Sequence, residues 1–123
     1  MILLVEDEER AREVFARILR HAGYAVMEAA DGLEALALLE DHLPCDLVVS
    51  DILMPKLNGY ALVARIRAKW PNMPIILTSG YLSQDAAKTM MNGSVEFLPK
   101  PLDEATLIAI IQRLMPPGSV QGL

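Results

Sequence analysis

The sequence predicts an α/β fold: a (βα)5 chain wound into one parallel five-stranded sheet with helices on both faces. Three observations carry that expectation. Short apolar runs recur along the chain without the polar alternation of a half-exposed strand, as strands buried on both faces do. Between them lie segments with the 3.6-residue period of amphipathic helices. The chain has 123 residues, 53% hydrophobic and 22% charged, enough for one domain with a sizeable core and little more. Right-handed crossovers between successive strands then make the sheet parallel and doubly covered.

Ile2–Val5 reads as the first strand. The first helix places Ala11, Val14, Phe15, Ile18, Leu19 and Ala22 on one stripe and Arg10, Arg12, Glu13, Arg17 and Arg20 outside. Gly23 stops it, in the position glycine favours after a helix. A weaker run at 25–27 is the second strand, and Asp31-Gly32 opens a helix through Leu33, Leu36, Leu39 and Leu43 that Pro44 ends. Residues 47–49 form the third strand. A helix over 59–70 follows, with Leu62, Val63, Ile66 and Trp70 inward and Pro71 behind it. Residues 75–77 form the fourth strand. The next helix, over 83–92, is the weakest of the five and rests on Ala86, Ala87, Met90 and Met91. The fifth strand covers 95–98, and the last helix starts near Asp103 with Leu107, Ile108, Ile111 and Leu114 inward. Residues 1–115 thus form the domain and 116–123 a tail.

Eleven Lys and Arg against 16 Asp and Glu give a net charge of -5, which offers no electrostatic footprint for nucleic acid or anionic lipid. The single cysteine, Cys45, excludes an internal disulfide and a cysteine-based metal cage, and reads as a small buried or half-buried hydrophobe. No apolar run approaches a membrane span, and the start lacks the basic region of a signal peptide. A cytoplasmic location is the expectation.

Parallel sheets of this kind bind ligands at the carboxyl ends of their strands. There the sequence places Glu6 and Asp7 after the first strand and Ser50-Asp51 after the third. Thr78-Ser79-Gly80 follows the fourth strand and Lys100 the fifth. Converging carboxylates repel one another unless a cation sits among them, and oxygen donors suit a hard one such as Mg²⁺. With a lysine and a hydroxyl to hold an oxyanion, these parts describe phosphoryl transfer to a carboxylate nucleophile. Taken singly each has a plainer reading. Asp7 could cap the first helix, Asp51 could be a turn residue and Lys100 a surface lysine. His21 and His42 lack a third ligand and read as helix-end or surface histidines.

Four segments together resemble the receiver domains of two-component response regulators. They are Val5-Glu6-Asp7-Glu8, Ser50-Asp51-Ile52-Leu53-Met54-Pro55 with Asn58-Gly59, Thr78-Ser79-Gly80-Tyr81, and Phe97-Leu98-Pro99-Lys100-Pro101. The resemblance runs from Ile2 to about Leu114 and implies the flavodoxin-like strand order 2-1-3-4-5. It makes Asp51 the phospho-acceptor. Asp7, Asp51 and the backbone carbonyl of Leu53 become ligands of Mg²⁺, for which Mn²⁺ can substitute, and Glu6 joins them directly or through a metal-bound water. Lys100 would hold the phosphoryl oxygens, the bond to Pro101 would be cis, and Phe97 would be the aromatic switch.

The hydroxyl has two candidates, since neighbours on a strand point to opposite faces. Counting from Pro74 favours Ser79; counting back from Lys100 leaves Thr78 as runner-up. Leu53 and Tyr81 flank the site, where they would control water access to the phosphate. Such a domain catalyses only its own phosphorylation and dephosphorylation. Its implied partners are a histidine kinase or histidine phosphotransfer protein. A homodimer could form through the face made by the fourth helix, the fifth strand and the fifth helix; the shift that carries the signal involves the same elements together with the fourth strand. The closest pattern is the receiver of a hybrid sensor histidine kinase, which would tether it to the inner membrane; a single-domain response regulator comes second. A scaffold that never turns over phosphate is disfavoured because the expected site residues are all present. An aspartyl phosphohydrolase is disfavoured because Leu53 stands where its second acid belongs.

Overall fold

A computed structural model describes residues 1–41, 45–79 and 95–115, with the backbone alone at Ser79. Within them the chain runs β1 (Ile2–Val5), α1 (Glu9–His21), β2 (Val26–Ala29), α2 (Gly32–Asp41), β3 (Leu47–Asp51), α3 (Gly59–Lys69), β4 (Ile75–Ser79), β5 (Val95–Pro99) and α4 (Glu104–Leu114). The five strands are parallel and ordered β2-β1-β3-β4-β5, the flavodoxin-like arrangement. Here α4 is the helix expected fifth; the helix expected over 83–92, with His42, Leu43, Pro44 and the tail, lies outside the described residues.

Strand alternation divides the core in two. Leu3, Val5, Val48, Ile75 and Leu77 pack with Ala35, Leu39, Leu62, Val63 and Ile66 of α2 and α3. Ile2, Leu4, Val49 and Ile76 pack with Ala16, Leu19, Leu107 and Ile111 of α1 and α4. Because both faces are covered, β1 and β3 are buried along their whole length, which is why their sequence shows no alternation.

Three expectations need correction. The strands β3, β4 and β5 run beyond the apolar residues, so Ser50 and Asp51 belong to β3 rather than following it. Ladder hydrogen bonds need no apolar side chain, so a strand continues past its hydropathic run. Helix α1 is turned so that Ala16 and Leu19 face the sheet, while Val14 is 50% exposed and Ala22 is also exposed. Small Ala16 lets the helix approach closely, and Arg12, expected outside, is drawn in between the Glu6 carbonyl (2.9 Å) and Glu28 (3.5 Å). Finally, Leu33 at the start of α2 is 48% exposed, because Gly32, Ala35 and Leu39 form the buried side.

Candidate functional site

Three strands deliver their C-terminal residues to one edge of the sheet. Asp51 is the last residue of β3, and Glu6 and Lys100 directly follow β1 and β5. Lys100 Nζ donates to Glu6 Oε1 at 2.8 Å and to Asp51 Oδ2 at 3.0 Å. Glu6 is 2% exposed and Asp51 8%. Each keeps a backbone donor: the Ile52 amide reaches Asp51 Oδ1 at 2.7 Å, and the Glu8 amide reaches Glu6 Oε2 at 3.2 Å. Burial pushes the Glu6 carboxyl above the usual range, with the Lys100 contact working against it. Burial also opposes the charge on Lys100, yet the bonds to Glu6 and Asp51 outweigh it and hold the ammonium above its ordinary value.

Asp7 completes the cluster from the exposed side. Oxygens of Glu6, Asp7 and Asp51 all lie within 4.8 Å of one another. Asp7 does not cap α1: Glu8 accepts from the amides of Arg10 and Ala11, which leaves Asp7 outside the helix start. Three carboxylates facing one ammonium leave two negative charges in excess. An oxygen-rich site of that charge fits a divalent cation such as Mg²⁺, which Asp7, Asp51 and Glu6 could hold.

The start of α3 packs directly against this edge. Asn58 caps α3 by accepting from the Ala61 amide at 2.9 Å, and the Gly59 amide bonds the Ile52 carbonyl at 2.8 Å. Any Cβ on Gly59 would lie 2.6 Å from the Asp51 carbonyl oxygen and 2.8 Å from Ile52 Cα, so α3 can start there only with glycine. The Ile52 amide in turn bonds the Thr78 carbonyl at 3.0 Å and ties the end of β3 to β4.

Around the cluster, Thr78 is 2% exposed and its hydroxyl donates to the Ser50 carbonyl at 3.4 Å. Ser79 pairs with Pro99 in the ladder; its side chain and all of Tyr81 lie outside the described residues. Leu53 is 62% exposed at the rim, Phe97 is half-buried against the core beneath α2 and α3, and the Lys100–Pro101 bond is cis. Cys45 is half-buried, with its thiol donating to the Leu47 carbonyl at 3.4 Å and pushed up by burial. Two contacts near the site had no local signature in the sequence: Arg12 on the Glu6 carbonyl, and Lys56 Nζ on Asp31 Oδ2 at 3.5 Å. Asp31 was legible as a helix start, but nothing marked Lys56 as its partner.

Comparison with known proteins agrees with this geometry. Residues 2–112 match the family model for the response regulator receiver domain. The chain is similar to the sensor kinase CckA of Brucella abortus, 36% identical over 93% of this chain and 12% of that protein. It is also similar to the DNA-binding transcriptional regulator NtrC of Salmonella typhimurium, 33% identical over 92% of this chain and 24% of that one. It therefore spans a minor part of both relatives. The crystal structure of the receiver domain of the hybrid histidine kinase CckA superposes with a TM-score of 0.78 at 40% identity, over 93% of this chain and 97% of that one. No described helix is long and apolar enough to cross a membrane. On its fold, its strand-end residues and this match over nearly its whole length, the chain belongs to the response regulator receiver domain family.

Proposed function

We propose that the chain accepts a phosphoryl group from a phosphohistidine donor onto the Asp51 carboxylate. The observation that carries this reading is the meeting of Glu6, Asp7, Asp51 and Lys100 at one sheet edge. In the transfer the donor's P–N bond breaks as a bond forms from an Asp51 oxygen to phosphorus, and the imidazole nitrogen keeps the electron pair. Bound Mg²⁺ or Mn²⁺ would supply positive charge between the acceptor and the phosphoryl oxygens. Asp7, Asp51, Glu6 and the Leu53 carbonyl would hold it. Ile52 fixes the carboxylate through its amide, so the nucleophile arrives oriented. Lys100 exchanges its contact with Asp51 for the phosphoryl oxygens, and Ser79, with Thr78 as runner-up, donates its hydroxyl to them.

The new contacts favour the state in which β4, β5 and the helices after them are drawn toward the phosphate; a ligand shifts only the state it contacts better. Phe97 on β5 is the side chain that would report the shift, and the face made by the helix expected over 83–92, β5 and α4 is where a homodimer would form. A protein donor is supported by the apolar groove of about 320 Å³ beside the site, where Ala11, Val14, Phe15, Pro101 and Leu102 adjoin Lys100. The likeness to a hybrid kinase receiver favours that parent over a single-domain regulator, and either would work in the cytoplasm.

Mass spectrometry after incubation with acetyl phosphate and Mg²⁺ tests the reading. The expected result is a gain of about 80 Da, the mass of one phosphoryl group, at Asp51. Labelling of Asp51→Asn at an acyl phosphate, or undiminished labelling in excess chelator, would overturn it.

A further inference from the structure

The loop that leaves Asp51 reaches α3 through a strained turn. The Leu57 amide donates to the Pro55 carbonyl at 2.7 Å, and Lys56 between them has φ 67. That is a three-residue turn in its rarer, strained form, centred on a residue with no aptitude for positive φ. Contacts on α2 hold it in place. Lys56 Nζ lies 3.5 Å from Asp31 Oδ2, and Leu57 sits so close to Gly32 that a Cβ there would be 2.7 Å from the Leu57 carbonyl oxygen. Asp31 is the fixed end of the pair. It is 8% exposed, and its Oδ1 accepts from the Glu34 amide at 2.8 Å in the first turn of α2. That bond first, and Lys56 after it, hold the Asp31 carboxyl below the usual range, so it carries its charge at neutral pH. Lys56, with its side chain 64% exposed, is the end that can let go.

We propose that the Asp31–Lys56 pair is a latch on the loop after Asp51 and that Lys56 is a positioning residue for divalent-cation binding. The inference rests on the Mg²⁺ reading above, because the Leu53 carbonyl belongs to this loop. Leu53 stands 62% exposed, while Ile52 and Met54 hold the near side of the loop in the core. The far side is held by Leu57, packed on the core and against Gly32, and by Lys56 on Asp31. An exposed ion pair is weak, so the effect on affinity is modest.

The test titrates Mg²⁺ alone into the chain, by calorimetry and amide chemical shifts, with thermal melts in chelator alongside. Lys56→Ala and Lys56→Gly should each bind Mg²⁺ about threefold more weakly, while Lys56→Arg keeps wild-type affinity. Lys56→Gly should nevertheless melt no lower than Lys56→Ala, because glycine accepts φ 67 without strain. Molar salt should narrow the gap between wild type and Lys56→Ala. Wild-type affinity in both truncations, or affinity that merely follows melting temperature, overturns the latch. Asp7→Asn separates the two readings. If it abolishes binding and the Lys56 variants do not weaken it, the latch alone fails. If wild type binds no better than Asp7→Asn, the metal reading fails and takes the latch with it.

Discussion

Replacing Lys100 by Met removes the ammonium that reaches Glu6 at 2.8 Å and Asp51 at 3.0 Å, and keeps the aliphatic stem. Charge-assisted hydrogen bonds of this kind contribute roughly 1.5–3 kcal/mol. The Lys100 side chain is 27% exposed, so solvent screens part of that. Asp51 retains the Ile52 amide at 2.7 Å, whereas Glu6, 2% exposed, retains only the longer Glu8 contact at 3.2 Å. Glu6 is therefore the stranded charge, and its escape is to take up a proton. For an ordinary glutamate that costs about 3.7 kcal/mol at pH 7 and about 1 kcal/mol at pH 5. Burial already holds Glu6 above the ordinary value, which lowers both costs. The expected loss of stability in the metal-free protein is about 2 kcal/mol at pH 7, or about 8 °C, and under about 1 kcal/mol at pH 5.

The direction follows from linkage. Lys100 has its pKa raised on folding, so it stays protonated across this range, and the stability it brings would be lost only at alkaline pH. Glu6 also has a raised folded pKa, and losing Lys100 raises it further. The folded variant then holds a proton that the unfolded chain has released, and its deficit grows as pH rises from 5 to 7. Urea unfolding in chelator at the two pH values measures this, using fluorescence of Trp70, the single tryptophan. A deficit equal at both, or larger at pH 5, would refute the assignment of Glu6 as the stranded group.

Other outcomes bear on the same site. Ser79→Ala should weaken the response to the phosphoryl mimic beryllofluoride by roughly 1.5–3 kcal/mol while Thr78→Ala leaves it nearly intact; the reverse ranking, read from Mg²⁺-dependent chemical shifts, moves the role to Thr78. The side chain of Leu53, a residue 62% exposed, can neither donate nor accept a hydrogen bond to an attacking water. Wild-type phosphate should therefore decay slowly, and Leu53→Asn with Tyr81→Glu should speed decay about tenfold; equal decay constants at equal Mg²⁺ would remove both side chains from that role. Gly59→Ala should cost about 2–4 kcal/mol in chemical denaturation, since its Cβ would meet backbone at 2.6 and 2.8 Å; a loss under about 0.5 kcal/mol would show that the start of α3 can shift. Val14→Asp should leave labelling by acetyl phosphate unchanged and slow transfer from a phosphohistidine protein; slowing of both would place its effect on folding rather than docking.

The alternation of strands and helices was legible from the sequence alone, because hydrophobic period is a local property. A strand buried on both faces has to be a short unbroken apolar run, and a helix lying on a sheet has to repeat every 3.6 residues. The strand-end cluster was legible for a related reason: a parallel sheet brings all its strand ends to one edge, so Glu6, Asp7, Asp51 and Lys100 had to gather there once the strands were known. Tertiary structure decided which of them touch. Glu6 and Lys100 stand 94 positions apart, and their 2.8 Å contact depends on the register of β1, β3, β4 and β5 together. It also decided the rotation of α1, which left Val14 exposed and drew Arg12 inward. Hydrophobic spacing defines the apolar stripe of a helix, but the side chain that meets the sheet depends on how closely a residue such as Ala16 lets the axis approach. Lys56 is the limiting case. Its backbone angle and its hold on Asp31 arise where two loops meet, and no local pattern of residue types encodes that meeting.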